Sequence, residues 1–206
     1  MFSWKLAASV VDDTIAAEPE LITSRLFPML FERFTDRDRL VVLDVGPGSR
    51  GTVDFFAQYN ACIHFVDLFS SDLLINPPDE IDVEDACESF SRYMQLPADL
   101  TFDVCLFWDA LHRVDLTVLR GLSLALNPHI DRRTLGYGFG TLYAHAFDHS
   151  RYSIWDQDRL VVRPAESQGK FYAHSQQQLS EHFASLPIQR ATLLRQGRLE
   201  LLLGLG

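Results

Sequence analysis

Short, unbroken apolar runs are the first pattern in this chain. RLVVLDVG (39–46), ACIHFVD (61–67) and TFDVCLFWD (101–109) do not alternate polar with apolar, and each ends in an acid or a glycine. A strand buried on both faces has this signature, as in a parallel sheet covered by helices. Between and after these runs the period lengthens. GTVDFFAQYN (51–60) predicts a short helix stopped by Asn60, and DLTVLRGLSLALNP (115–128) a helix ended by Asn127-Pro128. TLGYGFGTLYAHAF (134–147) predicts a further strand with glycines in its middle. Strands alternating with helices predict an α/β fold, a Rossmann-like, doubly wound and mostly parallel sheet.

The two ends of the chain differ from this middle. YSIWDQDRLVVRP (152–164) predicts two short strands around a turn, and SQQQLSEHFASLP (175–187) a helix starting after Ser175. IQRATLLRQGRLELLLGL (188–205) predicts two strands around Gln196-Gly197, an antiparallel hairpin added to the parallel sheet. Over residues 3–35, Leu21, Leu26, Met29, Leu30 and Phe34 fall near helical spacing, with Pro28 dividing the segment. This predicts an N-terminal helical extension over 1–37, laid on an α/β domain spanning 38–206. One stretch fits no regular unit. Between Asp67 and Phe102 a helix and a strand are due, yet Pro77-Pro78 breaks the chain and EDACESFSRYMQLP (84–97) reads as a helix. No strand can be assigned there.

Composition narrows the partners. At 206 residues and 47% hydrophobic the chain can bury one domain-sized core. Its net charge of -10 repels nucleic acid and anionic membranes, and no basic run offsets this, so neither is an expected partner. The apolar runs fall far short of the ~18 residues of a membrane helix, and the N-terminus lacks the pattern of a signal peptide. The expectation is a soluble cytoplasmic protein. Cys62, Cys87 and Cys105 sit at no metal or redox spacing, and His145, His149 and His174 are not compactly spaced, so no metal is expected.

The chemistry concentrates in VVLDVGPGSRGT (41–52), where Gly46, Gly48 and Gly51 spell G-x-G-x-x-G between a strand and a helix. Such a turn lets a ligand approach the backbone closely. A strand ending in Asp67 follows, at the interval where such folds place an acid to accept hydrogen bonds from ribose hydroxyls. Asp44, two residues before Gly46, separates the ligands. A carboxylate under the turn disfavours a pyrophosphate and suits a cationic group, such as the ammonium or sulfonium of S-adenosylmethionine.

On these residues the sequence resembles the class I S-adenosylmethionine-dependent methyltransferases. LDVGPG (43–48) looks like their first motif, Asp67 in HFVDLF like their second-strand acid, and FDVCLFWDALH (102–112) like their fourth-strand segment closing in Asp109. The resemblance spans roughly 38–205 and is most specific in its first half. It implies that Asp44, Gly46, Pro47, Gly48 and Ser49 line the methionine end, and that Asp67 with Leu68 beside it holds the ribose. Asp85 is the one match for an acid near the adenine, and Asp109 also borders the cofactor. Asp109 and His112 lie where an acceptor would enter, with His112 able to take a proton near neutral pH. The implied activity is metal-independent methyl transfer to a small molecule or a protein side chain, with a homodimer left open. Two alternatives stand beside it: a methyltransferase-like binding module without catalysis, and a nicotinamide- or flavin-binding oxidoreductase resting on the literal glycine spacing.

Overall fold

The computed structural model describes residues 19–32, 39–78, 80–143, 149–165 and 169–205. Its main sheet has six strands: β2 (Leu40–Asp44), β3 (Ala61–Phe65), β4 (Val104–Trp108), β5 (Leu135–Thr141), β8 (Ile188–Leu193) and β9 (Arg198–Gly204). Their order is β3-β2-β4-β5-β9-β8. The first four run parallel, and β9 is antiparallel to both neighbours, as the sequence predicts for the C-terminal hairpin. The fold is therefore an α/β sandwich on a mostly parallel sheet.

Side-chain alternation divides the core. Leu43, Cys105, Phe107, Leu201 and Leu203 meet α3 (Val83–Met94), α4 (Leu116–Leu126) and α5 (Gln176–His182) on one face. Val42, Val104, Leu106, Trp108, Tyr137 and Phe139 point the other way, toward α1 (Arg50–Phe56) and the segment Leu26–Phe31. The two faces bury nearly every apolar position of β4, which explains its continuous hydrophobic run.

No strand occurs between β3 and β4 among the described residues. A short helix, α2 (Asp72–Ile75), and α3 fill that stretch, leaving β3 at the sheet edge with half-buried side chains. The chain gains its cover there from a close helix crossing: a Cβ on Gly121 of α4 would lie 2.5 Å from Ala86 Cβ of α3. Gly121→Ala should therefore lower stability by about 1–3 kcal/mol, because the helices must separate to admit one methyl group. Urea denaturation of the two proteins reads this directly, and equal midpoints would show that the crossing yields freely.

The N-terminal expectation needs correction where it can be compared. Residues 1–18 and 33–38 lie outside the described residues, but Glu20–Thr23 form a strand, β1, and Phe27–Leu30 a 3-10 turn. β1 pairs antiparallel with β7 (Arg159–Pro164), which pairs with β6 (Ser150–Ile154), giving a second, three-stranded sheet in the order β1-β7-β6. Backbone pairing with β7 outweighs the weak helical spacing of Leu21 and Leu26. A buried carboxylate fastens the following turn. Glu200 of β9 accepts hydrogen bonds from the Ser24 hydroxyl, from Tyr137 OH at 2.6 Å and from the Arg25 amide at 3.0 Å.

Candidate functional site

The glycine turn leaves the C-terminal end of β2, where ligands gather in open α/β sheets. Ser49 caps α1 by accepting a hydrogen bond from the Thr52 amide at 3.1 Å. Gly51 is held by close approach: a Cβ there would sit 2.8 Å from the Ile154 carbonyl oxygen of β6. The second sheet thus lies against the start of α1. Pro47 and Ser49 are half-buried and Gly48 is exposed, while Gly46 is buried.

Asp44 lies inside the protein, 1% exposed. Alternation along β2 and β4 puts it on the same face as Trp108, and the indole N–H donates to Asp44 Oδ1 at 2.6 Å. The Gly46 amide donates to the same oxygen at 2.9 Å. Burial pushes the Asp44 carboxyl up to about 7, against the pull of these two hydrogen bonds, with the charge of Asp67 adding to the rise. Trp108 reaches this place through unusual backbone. The pairing of β4 with β5 shifts register between Leu106 and Trp108, and Trp108 takes φ +51°. A bulky side chain rarely adopts that left-handed conformation.

Asp67 follows β3. Its Oδ2 accepts from the Ser70 hydroxyl at 2.6 Å, while Oδ1 is shielded from solvent and has no hydrogen-bond partner. The Tyr93 hydroxyl of α3 donates to the Asp67 carbonyl at 2.8 Å. Leu68 is buried directly behind it. Asp85 is exposed on the first turn of α3. Eight residues separate it from Tyr93, or about 12 Å along the helix, so the structure does not bring it to Asp67.

Beyond β4 the sequence-selected pair is also internal. Asp109 and His112 are both fully buried. Arg113 Nε and an Nη donate to the two Asp109 oxygens at 3.1 Å each, and Tyr152 OH donates to Oδ2 at 3.3 Å. The Arg113 guanidinium lies between the rings of Phe69 and Phe171, 4.5 and 5.1 Å from their centres. Burial pushes the Asp109 carboxyl up from its ordinary value, with the Arg113 charge opposing it. His112 donates Nδ1–H to the Tyr172 carbonyl at 2.8 Å, which fixes its tautomer and leaves Nε2 a bare, buried acceptor without a partner. Burial pushes its pKa down to about 4, against the Tyr172 carbonyl, with nearby His174 contributing.

The structure therefore joins Asp44 to Gly46 and Trp108, and Asp109 to Arg113 and Tyr152, with consecutive residues 108 and 109 linking the two groups. Trp108 and Tyr152 stack with ring centres 5.3 Å apart and planes within 2°. Sequence reasoning missed Arg113 and Tyr152. The spacing of Asp109 to Arg113 in DALHR was a usable signal for the ion pair; nothing local marks Tyr152, which arrives on a distant hairpin. An open cleft of about 830 Å³ lies between the segment after β3 and α3, lined in part by Ser70 and Tyr93, the two partners of Asp67, and by Asp72, Asn76 and Arg92; none of the sequence-selected residues borders it. Among the described residues no three His, Cys, Asp or Glu side chains converge as a metal site requires, and no helix is long and apolar enough to cross a membrane. His145 lies outside the described residues.

No family model matches the chain, and no curated protein matches it. Among solved structures it is similar to an S-adenosylmethionine-dependent methyltransferase from Clostridium acetobutylicum, at 14% identity over 82% of this chain and 84% of that one, TM-score 0.46. It is also similar to the glycopeptide N-methyltransferase MtfA, at 10% identity over 89% and 96%, TM-score 0.46. A third is the 1,6-didemethyltoxoflavin-N1-methyltransferase of Burkholderia thailandensis, at 15% identity over 87% and 76%, TM-score 0.45. The roles of individual residues rest on the geometry of this chain.

Proposed function

We propose that this protein binds S-adenosylmethionine at the glycine turn and transfers its methyl group to a small molecule or a protein side chain, without a metal. The observation that carries this reading is the bare Oδ1 of Asp67. A shielded carboxylate oxygen with no donor is costly unless a ligand hydroxyl completes it, and it stands at a strand end beside a glycine turn. Asp67 Oδ1 offers the ribose end an unused acceptor once it is uncovered, and the amino-acid end would need the Trp108 indole to leave Asp44. The cofactor would supply a methyl group already activated on a sulfonium. The chain's own residues would align the acceptor and exclude water. His112, fully buried and with its pKa pushed down to about 4, is too closed off and too weak a base to take the acceptor's proton near neutral pH. A cytoplasmic location belongs to this reading, supported by the acidic composition and cysteine spacing.

Asp67→Ala is the test. With the wild-type protein, S-adenosylmethionine at ~100 times its dissociation constant should add about 2.7 kcal/mol of stability, seen as a melting shift. The variant should fold and lose that shift. A variant that still binds the cofactor normally would end the ribose assignment.

A second reading, a binding module without catalysis, is favoured by one specific feature: Asp44 and Asp109 are already engaged by Trp108 and Arg113. Methyl transfer to any acceptor would remove it. The dinucleotide reading has less support. Asp44 lies under the turn and accepts from the Gly46 amide, and a carboxylate there disfavours a pyrophosphate.

A further inference from the structure

Trp108 combines three features that ordinary core packing does not require together. Its backbone is left-handed although it is neither glycine nor Asn. Its ring lies against the glycine turn, so that a Cβ on Gly46 would be 3.0 Å from both Cδ1 and Nε1. Its one polar atom donates to the carboxylate beneath that turn. A tryptophan N–H is thereby placed where a ligand's cationic group would meet Asp44. The outer face of the indole is covered by Tyr152, whose hydroxyl in turn reaches Asp109. Tyr152 then stacks on Phe139 at 5.1 Å.

Resting on the S-adenosylmethionine reading, we propose that Trp108 is a built-in occupant of the cation subsite, an autoinhibitory contact that the ligand's ammonium must displace. Departure of the indole relieves the left-handed backbone and frees the carboxylate. It also removes one of the two rings stacked on Tyr152, the residue whose hydroxyl reaches Asp109, and so weakens the support of that contact. Entry at the cofactor end is in this way tied to loosening at the acceptor end, which orders the two binding events: cofactor first, acceptor second. Where Asp44 is ionised, above about pH 7, donation to it is among the stronger hydrogen bonds, so the cofactor's affinity in the wild type is reduced by the cost of breaking it.

The test uses the full chain and two readouts. The chain has three tryptophans, Trp4, Trp108 and Trp155. In a Trp4→Phe, Trp155→Phe background the emission reports Trp108 alone. Titration with S-adenosylhomocysteine should shift that emission to longer wavelength, saturably, as the buried indole meets water. Separately, Trp108→Phe keeps an aromatic ring against Tyr152 but removes the N–H, and should bind the same ligand about tenfold more tightly by calorimetry. Wild-type binding with unmoved Trp108 emission, or a folded Phe variant that binds equally or more weakly, overturns this proposal while leaving the cofactor reading intact. Failure of both proteins to bind S-adenosylhomocysteine or S-adenosylmethionine sinks the two together. Should Trp108→Phe misfold, the emission experiment decides alone.

Discussion

Arg113→Ala is expected to cost the fold about 3–5 kcal/mol, the amount by which removing one partner of a buried ion pair exceeds a surface change. The pair is 4% and 0% exposed at Arg113 and Asp109, so the abandoned carboxylate would face Tyr152 and apolar rings in place of water. The loss should depend on pH in a defined direction. Asp109 is already raised above its ordinary value by burial, and without Arg113 it rises further. A carboxyl raised in the folded state binds more protons there than in the unfolded chain, so its presence destabilises increasingly as pH climbs past the unfolded value. The variant's deficit should shrink toward pH 4 and widen toward pH 8. Chemical denaturation at both pH values measures it. An equal deficit at the two would mean that lost packing against Phe69 and Phe171 dominates. Arg113→Met combined with Asp109→Leu should recover much of the stability, since the apolar pair leaves no charge behind.

The second large effect concerns two buried groups that oppose each other. Asp44 is pushed up to about 7, and His112 down to about 4. Between about pH 4 and 7 the unfolded Asp44 is ionised while the folded one keeps its proton, so this group lowers stability as pH rises. Between about pH 4 and 6.5 the unfolded His112 is protonated while the folded one is neutral, so this group raises stability as pH rises. Their contributions offset across that window. Asp44→Asn should be less stable-to-more stable relative to wild type as pH rises, gaining about 4 kcal/mol between pH 4 and 8 at 1.36 kcal/mol per unit. His112→Gln should show the opposite trend, losing about 3 kcal/mol relative to wild type between pH 4 and 7. Differences from the wild type cancel the other titrating groups. If both difference curves are flat, water reaches these two side chains far more than their burial implies.

Much of the framework was legible because it rests on local patterns. The apolar runs at 39–46, 61–67 and 101–109 became β2, β3 and β4, and Gln196-Gly197 joins the C-terminal hairpin. The helix read at 84–97 is α3, and its presence where a strand was due was visible as a conflict in the sequence. The misreading at Glu20–Thr23 has a physical cause: the partner that makes it a strand is β7, far along the chain, and no local spacing encodes that pairing. The candidate site was legible to a similar depth. Residue types at Asp44, Asp67, Asp109 and His112 could be chosen from position. What those groups touch could not, because Trp108, Arg113 and Tyr152 act through backbone conformation and tertiary approach.

The pairing of β1 with β7 sets an order on how the molecule assembles as it is made. Thr23 leaves the ribosome before its partner Arg159, separated by about 140 residues. At ordinary synthesis rates this is on the order of ten seconds. During that interval Leu21 and Ile22 have no strand to join, and Ser24 has no Glu200 to bind, so the earliest strand among the described residues is among the last to dock. Such late, long-range closure slows folding and leaves an unpaired edge exposed to other nascent chains in the meantime.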